Sequence, residues 1–128
     1  MIRPWFMLLI ACGAALVASA APLLPTARAE VDALLTRLQT SGCEFNRNGT
    51  WYAGAEAKAH LLKKLDYLEG KDMVSTAEQF IERGASASSM SGKPYLVRCA
   101  GKAPVQSAVW LKAELQQVRA ARAASAPR

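Results

Sequence analysis

Near the middle of the chain, residues 43–52 read CEFNRNGTWY. The dipeptide Asn48-Gly49 tolerates positive φ at both central positions of a tight turn, and strand-forming residues lie on either side of it. This stretch therefore predicts a short β-hairpin or tight turn that follows a cysteine. A second strand-like stretch, residues 95–99, alternates apolar and polar side chains after Pro94 and ends in another cysteine.

Outside these two stretches, apolar residues recur at the spacing of helix faces. Glycine and proline residues separate the helical stretches from one another. The fold class predicted is α+β, with about four helices, a small two- or three-stranded antiparallel sheet and one disulfide. The predicted helices cover residues 30–40 and 55–70, a stretch that starts at Ser75, and a last segment marked by Ala108, Leu111, Leu115 and Val118.

The size and composition of the chain limit its function. Its 128 residues are enough for one domain only. The chain has one histidine and contains no CxxC, P-loop or GxGxxG motif. The usual signatures of a zinc site, a nucleotide site or a dinucleotide fold are therefore missing, and we predict neither a metal nor another cofactor.

The N-terminal 29 residues have the layout of a secretory signal peptide. Arg3 precedes an apolar run without charge, residues 5–21. Small-x-small patterns at 18–20 and 27–29 mark candidate cleavage sites after Ala20 and after Ala29. The second site predicts a signal peptide of residues 1–29, a periplasmic domain of residues 30–120 and a disordered basic tail of residues 121–128.

Two other interpretations of the N-terminus remain open. The uncharged stretch 4–27 is long enough to cross a bilayer at about 20 residues per span, although its second half is rich in Ala, Ser and Pro. The segment Leu9-Ile10-Ala11-Cys12 resembles a lipobox, but cutting there would leave only about seven apolar residues before it. We expect contact with the membrane only through the signal segment.

Cleavage at either signal site removes Cys12 and leaves two cysteines, Cys43 and Cys99. Secreted proteins mature in an oxidising compartment, where an even number of cysteines usually forms disulfides. We therefore predict a disulfide between these two residues.

The net positive charge of the chain is concentrated at its C-terminal end. Residues 30–97 hold 8 basic and 9 acidic side chains, whereas residues 98–128 hold six basic side chains and a single acidic one, Glu114. A solvated helix face and a frayed tail account for this pattern. Since aromatic residues are not interleaved with these basic residues and the chain is predicted to be exported, we predict no nucleic-acid partner.

Four motifs follow one another along the chain: Phe45-x-Arg47-Asn48-Gly49-x-Trp51-Tyr52, Ala57-x-x-His60-Leu61, Thr76-Ala77-Glu78-x-Phe80-Ile81 and Ser88-Ser89-Met90-Ser91-Gly92-Lys93-Pro94-Tyr95. In this order they resemble a known family, the YfeK-like proteins, which are small bacterial proteins of the periplasm classed as a domain of unknown function. The resemblance covers about residues 30–118. It implies a periplasmic location and a shared fold, but no activity and no catalytic residues.

The residues themselves leave two specific alternatives for function. In a small serine hydrolase, His60 would activate a serine hydroxyl in the loop 86–91, and Glu56 or Glu78 would orient the imidazole. The GxSxG motif of many serine hydrolases is, however, missing from the sequence. In an inhibitor of a lysozyme-type cell-wall hydrolase, the loop Ser91–Tyr95 would enter the enzyme's cleft, since its S-G-x-x-Y pattern is similar to that of periplasmic lysozyme inhibitors. Those inhibitors, however, are β-barrels.

The interpretation that we prefer follows from the positions of the two cysteines. Asn48 is five residues from Cys43, and Tyr95 is four residues from Cys99, so that a disulfide brings their loops together. Loops held rigidly by a scaffold are common recognition sites. We predict a non-enzymatic binding or structural module of the cell envelope, with an unknown envelope protein or a cell-wall component as partner. The predicted binding surface comprises Arg47, Asn48, Tyr52, His60, Ser89, Ser91, Lys93 and Tyr95.

Overall fold

The structure is a computed structural model that describes Gly13 and residues 23–126. Most of the predicted signal segment, and the last two residues, lie outside the described residues. The α+β class with four helices is confirmed. In chain order the elements are α1 (Pro25–Thr40), β1 (Glu44–Arg47), β2 (Thr50–Ala53), α2 (Gly54–Gly70), α3 (Ala77–Gly84), β3 (Leu96–Arg98), β4 (Val105–Gln106) and α4 (Ser107–Ser125).

The strands form an antiparallel sheet in the order β2-β1-β3-β4. The predicted turn is present, with φ of 52° at Asn48 and 86° at Gly49. The sheet has four strands where two or three were predicted, because β4 also pairs with β3. A two-residue strand that leads straight into a helix is too short to show an alternating pattern in the sequence.

The predicted disulfide is confirmed: Cys43 and Cys99 are bonded, with an S–S distance of 2.03 Å. It joins the start of β1 to the end of β3, next to the paired residues Glu44 and Arg98. The hairpin turn therefore lies at the opposite end of the β1–β3 ladder. The disulfide closes one end of this ladder, and strand pairing carries the constraint to the loops at the other end.

The core lies between the four helices and one face of the sheet. Helix α1 is central, since it packs against α2, α3 and α4. No helix in the described part of the chain is both long enough and apolar enough to cross a membrane. Fully buried core residues include Leu34 of α1, Leu61 of α2, Phe80 of α3 and Leu111 of α4, and the sheet contributes Phe45 and Val97.

Two helices extend beyond the ends expected from the sequence. Helix α1 begins at Pro25 rather than near residue 30, and Leu23 and Ala27 are buried in the core. Proline suits a first helical turn because its missing N–H would have no partner there. The expected start followed the cleavage pattern at Ala29 and overlooked Ala27, one turn before Val31. Helix α4 continues to Ser125, past the expected domain boundary at residue 120, with its last residues exposed.

Candidate functional site

A cleft runs along one face of α2, where this helix meets the β1–β2 hairpin and the loop 86–95. It has two parts, with volumes of about 360 Å³ and 440 Å³, which share Arg47, His60 and Lys63. We call it the α2 cleft. Its lining comprises Phe45, Arg47, Asn48, Tyr52, Glu56, Ala57, Ala59, His60, Lys63, Lys64, Tyr67, Ser88, Ser89, Met90 and Tyr95.

One face of helix α2 supplies five of the polar residues in this lining. Glu56, Lys63, Lys64 and Tyr67 lie three, four or seven residues from His60 along the helix, so that they share its side. Of these five residues, only His60 belongs to the binding surface predicted from the sequence. The other four could have been found from their helical spacing relative to it.

Arg47, the last residue of β1, contacts His60 on α2. Its Nη1 lies 2.7 Å from Nδ1 and 3.2 Å from Nε2 of the imidazole. The lone pairs of the two ring nitrogens diverge, so only one nitrogen accepts from the guanidinium. Nε2 also lies 3.4 Å from the hydroxyl of Tyr95. Assigning Nδ1 as the acceptor places the imidazole proton on Nε2, which then donates to Tyr95.

Lys64, one turn after His60 on α2, completes this hydrogen-bonded group. Its Nζ donates to the carbonyl of Ala87 and to the hydroxyl of Tyr95, both at 3.1 Å. Tyr95 is only 2% exposed, and its ring packs 5.0 Å from that of Phe45. With the imidazole proton on Nε2, the tyrosine oxygen accepts from Lys64 and from His60. Its own hydrogen then has no acceptor among the residues that the structure describes.

Burial and positive charge shift the pKa values of this group. Burial, followed by the charges of Arg47, Lys64 and Lys63, lowers the pKa of His60 to about 4. Burial and Arg47 also lower the pKa of Lys64. Burial raises the pKa of Tyr95, while Arg47 opposes that rise. The imidazole is therefore neutral near neutral pH, and the site holds its positive charge on arginine and lysine.

The cations of the α2 cleft differ from most of the other arginines that the structure describes. Within the described residues, Arg47, Lys63 and Lys64 form no salt bridge with a carboxylate. Several other arginines do pair with one: Arg28 with Glu69, Arg37 with Glu114, Arg98 with Glu44, and Arg119 with Glu30 and Glu78.

Asn48 connects the hairpin turn to the loop 86–95. Its side chain donates to Ser88 Oγ at 3.3 Å and accepts from Ser91 Oγ at 2.6 Å. The structure therefore brings the two predicted loops into contact. Of the predicted surface, Arg47, Asn48, Tyr52, His60, Ser89 and Tyr95 line the α2 cleft, whereas Ser91 and Lys93 are exposed beside it. The lining residues that the sequence analysis left out of that surface include Glu56, Lys63, Lys64, Tyr67, Ser88 and Met90.

The serine hydroxyls of the loop are not hydrogen-bonded to the histidine. Within the described part of the chain, the side-chain partners of His60 are Arg47 and Tyr95. Ser88 Oγ instead accepts from Asn48 and from the backbone of its own loop, and Ser86 Oγ donates to a carbonyl of α3. Nor does any group of His, Cys, Asp and Glu side chains in the described residues have an arrangement suited to a metal ion.

Comparison with known proteins identifies relatives of this chain but no activity. Residues 25–119 match a family described as "Family of unknown function (DUF5329)". The chain is also 43% identical over 68 residues to the uncharacterized protein YfeK of Salmonella typhimurium, a match that covers 52% of this chain and 55% of the relative. The chain thus spans about half the length of this curated relative. No solved structure matches it.

Proposed function

The chain belongs to the DUF5329 family of unknown function, with the YfeK-like character that its motifs indicated, and we propose that it is a non-enzymatic binding module of the cell envelope that uses the α2 cleft. The contact between Arg47 and His60 carries this proposal. It joins a strand to a helix and aligns both side chains along the cleft, where a ligand can reach the remaining donors.

The state of His60 supports binding rather than catalysis. A general base that works near neutral pH needs a pKa close to that pH and a free acceptor nitrogen aimed at its substrate or nucleophile. Here the pKa of His60 is about 4, and Nδ1 already accepts from Arg47. The imidazole serves as a neutral hydrogen-bonding group that orients Arg47.

The rigid support of the residues that line the cleft also favours a role in binding. Arg47 extends from a strand whose other end is held by the disulfide, and Asn48 braces the neighbouring loop. Binding groups held on rigid elements lose little conformational entropy when a ligand arrives.

We place the protein in the periplasm. The charge and hydropathy pattern of its first 29 residues supports export. The disulfide is a second support, because such bonds persist mainly in oxidising compartments. An envelope protein or a cell-wall component is then the available partner.

The exposure of residues 91–94 favours a second candidate function, inhibition of a lysozyme-type cell-wall hydrolase. Ser91 stands beside the exposed Lys93, and Asn48 holds the serine in place. Tyr95 of the same motif is buried under Lys64, so this function depends on the first residues of the loop. An inhibition assay against lysozyme with Ser91→Ala tests it, since an inhibitory loop loses its effect in this variant.

Binding to the envelope tests the main proposal. The tagged protein is incubated with purified cell-wall sacculi and, separately, with envelope extract, and the bound fraction is measured. Arg47→Ala is expected to lose binding, whereas Lys58→Ala keeps it, because Lys58 lies on α2 outside the cleft and bonds to α1. Equal binding of both variants and the wild type contradicts the proposal. If only Lys93→Ala loses binding, the ligand binds to the exposed loop 91–94 and not to the α2 cleft.

A further inference from the structure

We propose that the α2 cleft binds an oxyanion, a carboxylate or phosphate group of its ligand, between Arg47 and the lysines of α2. The location of this site rests on the proposed function, and the inference adds the chemical class of the ligand. It follows from an excess of hydrogen-bond donors, an excess of positive charge, and the volume of the cleft.

The donors of the cleft outnumber its acceptors. A guanidinium carries five N–H donors, and only the Nη1 of Arg47 has a side-chain partner in the described part of the chain. Lys64 uses two of its three donors on Ala87 and Tyr95. With His60 protonated on Nε2, the hydrogen of the Tyr95 hydroxyl lacks an acceptor among those residues. The exposed Lys63 has no side-chain hydrogen bond there. An oxyanion has hydrogen-bond acceptors and no donors, so it can bind the donors of these side chains that have no other partner.

The positive charge of the cleft is also poorly compensated. Arg47, Lys63 and Lys64 contribute three positive charges to the lining, against one negative charge from Glu56. Burial is the main cause of the lowered pKa of Lys64 and of His60, and repulsion from Arg47 adds to it in both cases. Because the group is partly buried, water and salt screen it less than they would an exposed patch. An anion bound here relieves that repulsion.

This charge is local and does not reflect a basic protein surface in general. Residues 30–97 contain slightly more acidic than basic side chains. Two basic residues of the C-terminal region, Arg119 and Arg122, both pair with the buried Glu30. Three cations thus meet in the α2 cleft although the domain body carries no net positive charge.

The oxyanion is one part of a larger ligand. The two portions of the cleft measure about 360 Å³ and 440 Å³, well beyond the size of a phosphate or carboxylate group. Tyr52 flanks the first portion, where the Arg47 guanidinium lies 5.2 Å from its ring centre. Tyr67, 63% exposed, flanks the second. These rings give the neutral remainder of the ligand apolar surface on either side of the anion site.

Two simple probes test the inference on the full chain: inorganic phosphate, and glucuronate as a carboxylate carried by a sugar. Glucose at the same concentration, and sodium chloride at matched ionic strength, serve as controls. The imidazole resonances of His60 are followed by NMR during each titration. Saturable shifts with phosphate, glucuronate or both are expected, together with a rise in the pKa of His60 above about 4, since a bound anion stabilises the protonated ring. The tighter probe identifies the source of the oxyanion.

Matched variants assign the binding to this cleft. Lys63→Gln removes an exposed charge from the lining without removing packing, and it is expected to weaken binding by about tenfold, as the loss of one charge-assisted hydrogen bond would. Lys58→Gln makes the same change of net charge on α2 outside the cleft and leaves the affinity unaltered. Equal weakening by both variants, or no shift beyond that caused by sodium chloride, overturns the inference.

The inference and the proposed function fail in different ways. If Arg47→Ala abolishes binding to sacculi or to an envelope partner but neither probe shifts His60, the binding module stands and the oxyanion is wrong. If the probes bind in the cleft but no variant changes envelope binding, the oxyanion site stands and the envelope role is wrong.

Discussion

The guanidinium of Arg47 lies 2.7 Å from Nδ1 of His60, and this contact joins the end of β1 to the middle of α2. A protonated imidazole has no lone pair to accept from arginine and would add a further positive charge beside Lys64. The contact therefore requires the neutral form of the histidine. Its consequence for the folded protein is a dependence of stability on pH.

We expect His60 to make the protein less stable as the pH falls from about 6.5 to about 4. Its pKa is about 4 in the folded chain against an ordinary value of 6.5, so between these limits the unfolded chain binds a proton that the folded chain does not. The free energy of unfolding then rises with pH across this window. In His60→Gln this component is absent. Urea unfolding across the window measures both slopes, and parallel curves for the two proteins would show that His60 contributes nothing.

Loss of the disulfide is expected to lower stability by roughly 4 kcal/mol, because the bond closes a long loop in the unfolded chain. The two cysteines are 56 residues apart. The variant Cys43→Ser/Cys99→Ser and the reduced wild type should unfold at the same, lower urea concentration. The prediction fails if reduction of the wild type leaves its unfolding midpoint unchanged.

Two glycines of α2 are expected to respond oppositely to alanine. A Cβ on Gly54 would press on the backbone of α1, at Leu38 O and 2.9 Å from Gln39 Cα, whereas one on Gly70 would meet nothing within 4 Å. Gly54→Ala should therefore destabilise the fold by about 1–3 kcal/mol. Gly70→Ala should stabilise it by about 0.4–1 kcal/mol by restricting the unfolded chain. Thermal unfolding of both variants checks the signs, and a stable Gly54→Ala protein would show that α1 and α2 are not so closely apposed.

The mature N-terminus is expected at Ala21, after cleavage behind Ala20. Leu23 and Ala27 are buried in the core, and Arg28 pairs with Glu69 at 2.7 Å. Cleavage after Ala29 would remove these contacts together with the first turn of α1. The intact mass of protein recovered from the periplasm distinguishes the two sites. A chain engineered to begin at Glu30 should unfold at a lower urea concentration than one beginning at Ala21, and a native N-terminus at Glu30 would refute this prediction.

The elements that the sequence predicted well are those encoded by neighbouring residues. Asn48-Gly49 is suited to a tight turn whatever surrounds it, and the structure has that turn. Leu61 and Leu65 mark the buried side of α2 by their spacing alone. The start of α1 was misjudged because a processing pattern and a helical pattern overlap at residues 27–29, and only the buried positions of Leu23 and Ala27 separate them.

The site was predicted in part. Arg47, His60 and Tyr95 were chosen because they flank the predicted disulfide or stand out chemically, and the structure places them in one hydrogen-bonded group. Lys63 and Lys64 were overlooked because exposed lysines on a helix are ordinary solvated residues when viewed in the sequence. Their importance depends on which cations and carboxylates other elements bring near them, and that is a long-range property.

The sequence by itself determined where helices and the hairpin turn form, because propensity and periodicity act locally. It also determined the pairing of Cys43 with Cys99 once Cys12 is assigned to a cleaved signal segment, because two thiols leave one solution. Only the tertiary structure decided that the hairpin would rest against α2 and place Arg47 on His60 with Lys64 close by. Charges separated by many residues meet only after the core has packed. The excess of donors and positive charge in the α2 cleft is therefore a consequence of packing, and it is this excess that identifies the cleft as a candidate site for an anion.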